Sequence, residues 1–138
     1  MLAETFEIIL TEEYECSINV LQKLVKSNLI FELTGANQIV GSISLNSFFS
    51  LHFDQRGKIV GKVISATENE IILDWNVTGF NKPDEINTLV KIKLIDIGDS
   101  SSLEIKHSHI KNYEAKLAKE IAWREILEDI KKKINTFS

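Results

Sequence analysis

The residues of this chain best suited to chemistry are His107 and His109, which are separated by a single serine. Side chains two positions apart on a β-strand project from the same face, so the two imidazoles could bind one metal ion. Zinc needs three or four ligands, and a third would have to come from a distant residue such as Cys16 or a carboxylate. The alternative, which we favour, places one histidine near the mouth of a cavity and the other in water. We therefore predict no metal site and no cofactor.

Two tryptophans form the second candidate group. The rings of Trp75 and Trp123 could stack on a flat apolar ligand, or they could belong to a core that anchors a helix to a sheet. We favour the core for both. Phe49, Leu51 and Phe53 present the same two alternatives, since apolar side chains serve in cores and in ligand pockets alike.

The chain has none of the short motifs that mark common enzymes. It lacks the Gly-x-Ser-x-Gly nucleophile motif, the phosphate-binding Gly-x-x-x-x-Gly-Lys and the dinucleotide-binding Gly-x-Gly-x-x-Gly. Cys16 has no histidine near it in the sequence, which predicts an inert thiol. The acidic pairs Glu12-Glu13 and Asp84-Glu85 are predicted to be solvated surface charges. We assign no catalytic residue.

The composition of the 138-residue chain is that of an ordinary globular protein, with 43% apolar and 26% charged residues. The net charge of -4 argues against nucleic acid as a partner, because a clustered basic face would be expected there. No apolar run reaches the ~18 residues that span a bilayer, and the N-terminus lacks the basic start of a signal peptide. One cysteine allows no internal disulfide. These features predict a cytoplasmic protein without a membrane or nucleic-acid partner.

The first third of the chain predicts one strand followed by two short helices. Phe6 to Glu15 alternates imperfectly between apolar and polar residues, which indicates a strand. Ser17 is placed to cap a helix from Ile18 to Lys26. Asn28 is placed to cap a second helix, Leu29 to Leu33, which a following glycine ends.

The middle of the chain predicts a β-sheet with one apolar face. Between residues 43 and 53 every apolar residue except Phe48 falls on an odd position, Leu45 included, and this period of two is typical of a strand. Four further strands are predicted from Lys58 to Ser65, from Glu70 to Val77, from Thr88 to Ile95 and from Leu103 to His109. Short turns favour antiparallel pairing, so with the first strand the sheet has about six strands.

One long amphipathic helix closes the chain, from about Asn112 to about Ile134. Its apolar residues share one stripe at helical spacing: Trp123, Ile126, Leu127, Ile130 and Ile134. Such a stripe needs a broad apolar partner, and the apolar face of the sheet is the surface available. We predict one α+β domain over residues 1–138, in which a curved antiparallel sheet wraps around the C-terminal helix and leaves a cavity between the layers.

The order of these elements resembles the START-like helix-grip (SRPBCC) superfamily, and within it the AHSA-type domains, named after an activator of a heat-shock-protein ATPase. The resemblance rests on the segments Gly57 to Val63, Glu70 to Trp75, Val90 to Leu94, Ser102 to His107 and Ala122 to Leu127. Two departures stand out. A Gly-Trp pair in the family has become Ala122-Trp123, and the tryptophan usually found after the first helices is replaced by Leu29-Ile30-Phe31.

The resemblance implies that the protein binds a small hydrophobic or amphipathic ligand between sheet and helix. The residues predicted to line that site are Phe49, Leu51, Phe53, Val63, Leu73, Trp75, Ile92, His107, Trp123 and Leu127. The alternative is a co-chaperone-like protein-interaction module, and a cyclase-like enzyme ranks last. A cavity of roughly 300 Å³ or more lined by these residues would favour a ligand, and an exposed apolar patch would favour a protein partner. The chain is predicted to be a monomer or a homodimer.

Overall fold

The computed structural model describes residues 4–136. The first residues of the segment considered for a signal peptide lie outside this range. In chain order the elements are β1 (Phe6–Tyr14), α1 (Ile18–Lys26), α2 (Leu29–Leu33), β2 (Gln38–Val40), β3 (Phe48–Phe53), β4 (Gly57–Ala66), β5 (Glu70–Gly79), β6 (Glu85–Asp96), β7 (Ser101–Ile110) and α3 (Tyr113–Thr136). The predicted α+β class and the long C-terminal helix are confirmed.

The strands form one antiparallel sheet in the order β1-β7-β6-β5-β4-β3-β2. The first strand therefore lies beside the last, because α1 and α2 carry the chain from one edge of the sheet to the other. The register shifts between Val63 and Ser65 in β4 and between Trp75 and Val77 in β5. Such bulges bend strands and increase their twist, so they favour the curvature that lets the sheet wrap around a helix.

The sheet has seven strands rather than about six, because β2 was missed in the sequence. With three residues it is too short to show a period. The predicted strand around residues 43 to 53 begins only at Phe48, and the residues before it form turns. Asn46 has a left-handed backbone, which breaks the alternation. Leu45 is consequently exposed, and its predicted place on the apolar face was wrong.

The apolar stripe of α3 is buried as predicted, but α3 does not cover the sheet by itself. Seven strands span roughly 30 Å, whereas one helix with its side chains is about 10–12 Å across. Leu21 of α1 and Ile30 and Phe31 of α2 fill the remaining core and are fully buried. The ring of Phe31 stacks on Phe49 of β3 at 4.7 Å between ring centres. All three helices therefore form the covering layer.

Ser17 and Asn28 precede α1 and α2 as predicted, but neither side chain makes a capping hydrogen bond. The amide of Asn28 instead donates to the carbonyl of Gly41 and accepts from the backbone N–H of Ile43, both at 3.2 Å. These bonds tie the start of α2 to the loop that leads into β3. Within residues 4–136, no helix combines the length and apolar character needed to cross a bilayer.

Candidate functional site

All ten residues predicted to line a ligand site are buried. Three of them, Phe53, Trp75 and Trp123, face a space of about 220 Å³ between the sheet and the middle of α3. Phe80 and Ile59 complete its apolar wall, and Glu125 and Asp129 of α3 lie at its rim. We call this space the aromatic cavity. The other seven predicted residues are packed in the core around it and do not line it.

A larger space of about 340 Å³ lies between the β5–β6 turn and the first half of α3. Apolar side chains such as Phe80, Ile86 and Ala118 make up most of its wall. Charged residues of both signs lie among them and distinguish this space from the first: Lys82, Asp84, Glu85, Lys111, Glu114 and Lys119. We call it the polar cavity. None of the ten predicted residues lines it, because the sequence pattern of a turn shows no period that would indicate a cavity wall. The one available signal was the loop around Pro83, which we interpreted only as a connection.

The two cavities are neighbours along the same side of α3. Val77, Phe80 and Lys119 line both of them. Phe80 follows Gly79 in the turn and has a left-handed backbone with φ 59°, which is rare for a bulky side chain. Its ring lies against Gly57, where an added Cβ would come within 2.5 Å of it. The absence of a side chain at Gly57 therefore allows Phe80 to stand between the cavities.

The aromatic rings form a continuous row from α2 to α3. Phe49 lies 5.8 Å from Trp75, and Trp75 lies 5.4 Å from Trp123, between ring centres. Tilted rings at such distances contribute about 0.5–1.5 kcal/mol beyond the area that they bury. Both tryptophans are therefore core residues, and each also turns part of its surface to the aromatic cavity.

His107 is fully buried and holds two hydrogen bonds. The indole N–H of Trp123 donates to Nδ1 of His107 at 3.0 Å, and Nε2 lies 2.9 Å from the hydroxyl of Thr88. Because Nδ1 accepts this hydrogen bond, the single ring proton of the neutral imidazole is assigned to Nε2, which donates to the hydroxyl of Thr88. The Thr88 hydroxyl in turn donates to the carbonyl of Trp75. This chain of bonds joins β5, β6, β7 and α3, and every polar atom in it has a partner.

The environment of His107 keeps its ring neutral. Burial lowers the pKa of His107 to about 3, and the positive charge of Lys119 lowers it further in the same direction. A neutral histidine with both nitrogens engaged has no free site for a substrate proton or a metal. Its role in the structure is to hold Trp123 against the sheet.

The structure separates His107 from His109, so the shared face that a metal site would need, which we did not favour, is absent, and His107 lies in the core rather than at a cavity mouth. His107 is buried and His109 is exposed, since His109 has a left-handed backbone with φ 63° and Ile110 takes the buried position after it. Among residues 4–136, no group of three or more histidine, cysteine, aspartate or glutamate side chains is placed to hold a metal ion.

The ion pair between Lys119 and Glu85 spans the polar cavity from α3 to β6. The ammonium lies 2.6 Å from the carboxylate, and the two side chains keep only 15% and 21% of their surface exposed. A charge-assisted bond this short and this sheltered is stronger than an ordinary surface pair. It closes one side of the opening between α3 and the sheet.

Comparison with known proteins identifies the fold. No family model matches the sequence, and neither does any curated protein. The solved structure of MLL2253 from Mesorhizobium loti is similar with a TM-score of 0.83 at 12% identity, over 96% of this chain and 99% of that one. The Aha1 dimer from Colwellia psychrerythraea is similar with a TM-score of 0.72 at 16% identity, over 91% and 93%. PFC0360w, an HSP90 activator from Plasmodium falciparum, is similar with a TM-score of 0.56 at 21% identity, over 77% and 73%.

The chain shares the helix-grip fold of these structures, in which a curved antiparallel sheet wraps around a long C-terminal helix. It spans 48% of the length of DynU16, which it also resembles with a TM-score of 0.77 at 9% identity, so about half of that chain has no counterpart here. Identities this low establish the fold and leave function to be argued from the site.

Two departures from the helix-grip sequence pattern have visible consequences. Ala122, in place of glycine, lines the aromatic cavity next to Trp123. Leu29, Ile30 and Phe31, in place of the tryptophan region, are all buried in the core. The first departure adds a methyl group at the cavity, and the second supplies Phe31 as the first ring in the row.

Proposed function

We propose that the protein binds a small hydrophobic or amphipathic molecule in the aromatic cavity between the sheet and α3. The observation that carries the proposal is the apolar wall in which the rings of Phe53, Trp75 and Trp123 lie together, although the space of about 220 Å³ is smaller than the roughly 300 Å³ expected from the sequence. Ligand sites are typically apolar hollows with a few polar groups at defined positions. The helix-grip fold supports the proposal by analogy, because the fold itself places a hollow between its layers.

In this proposal the ten predicted residues have two roles. Phe53, Trp75 and Trp123 contact the ligand directly. The others support these rings from the core: Phe49, Leu51, Val63, Leu73, Ile92, His107 and Leu127. A rigid wall of this kind costs little conformational entropy when a ligand binds.

Titration with 1-decanol tests the proposal, because the chain contains two tryptophans and both line the aromatic cavity. We expect binding to change their fluorescence. The variant Ala122→Phe puts a ring into the cavity from the helix side and should weaken binding at least tenfold. Ile121→Phe is the matched control, since the neighbouring side chain is exposed and should leave binding unchanged.

Equal loss in both variants, or no binding by the unmodified protein, would rule out this cavity as a ligand site. Native mass spectrometry of the purified protein adds an independent measurement. A molecule that is retained by the unmodified protein and by Ile121→Phe, and lost from Ala122→Phe, identifies the natural ligand.

The second candidate is a protein-interaction module with a co-chaperone-like role, and exposed apolar side chains at the β2 edge of the sheet favour it. Val40, Phe48 and Ile64 are exposed on the neighbouring strands β2, β3 and β4, and Leu45 is exposed in the turn before β3. Phe48 keeps 72% of its surface in solvent. Large exposed apolar side chains that lie together commonly mark contact sites for proteins. The likeness to PFC0360w, an HSP90 activator, supports the same reading at the level of the fold.

A binding experiment with purified HSP90 tests this second candidate. The variant Phe48→Ser should weaken binding if the patch is the contact. Ile9→Ser, at an exposed position on β1 at the opposite edge of the sheet, is the control. Binding that is absent, or that is equally strong in both variants, would remove this candidate and leave the ligand proposal unaffected.

A further inference from the structure

The two cavities are neighbours, and together they have the volume of an ordinary ligand site. Pockets for small molecules usually measure about 300–1,000 Å³. The aromatic cavity, at about 220 Å³, falls below that range, whereas the polar cavity beside it adds about 340 Å³. A molecule of ordinary ligand size that places its apolar end on Trp75 and Trp123 would therefore extend past Phe80 into the polar cavity.

Lys119 is the cation that such a molecule would meet. It lines both cavities, and its side chain is largely sheltered from solvent. Its ammonium is held by a single carboxylate, that of Glu85 at 2.6 Å. A sheltered ammonium requires an anionic partner, so an incoming ligand can take the position of Glu85 only if it brings an anionic group of its own.

We propose that the protein binds an amphipathic monocarboxylate, with its carboxylate on Lys119 in place of Glu85 and its apolar tail in the aromatic cavity. This inference rests on the proposed function and names the chemical class of its ligand. Glu85 occupies the ligand's position in the empty protein and competes with it.

The charges around the polar cavity favour a single negative charge on the ligand. Three lysines, Lys82, Lys111 and Lys119, face three acidic residues, Asp84, Glu85 and Glu114. When Glu85 turns outward into water, one ligand carboxylate restores the balance, whereas a dianionic phosphate would leave an excess of negative charge. A neutral ligand would leave Lys119 with Glu85 and would gain nothing from the exchange.

Glu85 and Phe80 border the turn between β5 and β6. Glu85 is the first residue of β6, directly after the turn that contains Pro83. Phe80 touches Phe53 edge to face, at 5.3 Å between ring centres, and its left-handed backbone is strained. A ligand tail that enters between Phe80 and α3 can displace the ring of Phe80. The hydrogen bonds of His107 do not involve this ring, so they stay in place.

The test compares sodium decanoate with 1-decanol, which share a tail and differ in the head group, by tryptophan fluorescence titration. Lys119→Met keeps the length of the side chain and removes its charge. It should weaken decanoate binding by about tenfold or more, the usual size of one charge-assisted contact, and should change decanol binding much less. Glu85→Gln removes the competing carboxylate and should tighten decanoate binding several-fold.

Lys116→Met is the control, because Lys116 is on the same helix, pairs with Glu120 at 3.1 Å and lines neither cavity. It should bind both probes as the unmodified protein does. The tightening in Glu85→Gln cannot arise from misfolding, so it keeps the test decisive even if Lys119→Met folds poorly.

Decanoate and decanol binding with equal affinity in every variant would overturn this inference and leave the proposed function standing. If Glu85→Gln fails to tighten decanoate binding, the exchange at Lys119 is likewise excluded. Binding of neither probe would overturn both the inference and the proposed function.

Discussion

Trp123 shows how one residue serves the core and the candidate site at once. Its ring packs 5.4 Å from Trp75, its N–H is held by His107, and its remaining surface faces the aromatic cavity. A tryptophan with a satisfied N–H is fixed in one orientation. The same contacts that stabilise the protein therefore preorganise the cavity wall.

Trp123→Ala should lower the free energy of unfolding by about 3–5 kcal/mol, because it removes a buried ring and leaves His107 without a donor. Denaturant unfolding measures the change. Leu117→Ala on the same helix is the control, since Leu117 is exposed and its loss should cost under about 0.5 kcal/mol. A loss below about 1 kcal/mol for Trp123→Ala would show that the ring is not part of the core.

The lowered pKa of His107 should be visible in how the free energy of unfolding changes with pH. Its pKa is near 3 in the folded protein and about 6.5 in an unfolded chain, so the unfolded state binds the proton more tightly. The contribution of neutral His107 to the free energy of unfolding is complete above pH ~6.5. It is lost as the pH falls from there towards 3, by about 1.4 kcal/mol per pH unit.

His107→Gln provides the comparison, because glutamine can accept from Trp123 and donate to Thr88 but does not titrate. Its stability should fall less steeply than that of the unmodified protein between pH 6.5 and 4. Parallel curves for the two proteins would mean that His107 is charged in the folded state or exposed to water.

At the scale of elements, α3 is attached to β1 by apolar packing and by one buried hydrogen bond. The hydroxyl of Tyr14 donates to the carbonyl of Leu127 at 2.9 Å, and burial raises the pKa of the Tyr14 phenol. The pair of Glu12 with Lys131, at 3.4 Å, joins the same two elements but is more exposed, so it contributes little. Tyr14 therefore fixes the position of the helix along the sheet.

Tyr14→Phe should reduce the free energy of unfolding by about 1 kcal/mol, since it removes a buried donor and keeps the ring. Tyr113→Phe is the matched control, because the other tyrosine is exposed at the start of α3 and its hydroxyl should matter little. Thermal melts of the two variants give the comparison. An equal effect in both would show that the Tyr14 bond does not hold the helix.

The elements also show where sequence reasoning succeeds. The bounds of α1 and α2 agree with the prediction to the residue, and the inward residues Val90, Ile92 and Leu94 of β6 are buried as the alternation indicated. These signals are local, because helix and strand periods repeat within a few residues. β2 was missed for the same reason, since it acquires its structure only by pairing with β3.

At the scale of the whole molecule, the sheet order brings the two ends of the chain together. β1 pairs with β7, and α3 packs across both strands. The beginning, middle and end of the described chain, residues 4–136, therefore all contribute to one core. The assignment of residues 1–138 to one domain stays a prediction, as do the cytoplasmic location and the choice between monomer and homodimer.

Urea unfolding tests the one-domain prediction. We expect a single cooperative transition, with coincident curves from far-ultraviolet circular dichroism and tryptophan fluorescence, because a shared core unfolds as a unit. Two separated transitions would show that the α1–α2 region or α3 unfolds independently of the sheet. The measurement is best repeated with decanol present, which should raise the midpoint by mass action if it binds the folded state.

The sequence by itself determined which residues are apolar and at what spacing, and therefore the long helix, most of the strands and the burial of all ten candidate residues. It did not determine which of them face empty space. The aromatic cavity, the bond from Trp123 to His107 and the pair of Lys119 with Glu85 each join residues far apart in the chain, so they exist only once the layers have packed. The spacing of apolar residues along a helix or strand shows which face is buried. A cavity depends on how completely the opposing side chains fill the space between two layers, and only the tertiary structure decides how they pack.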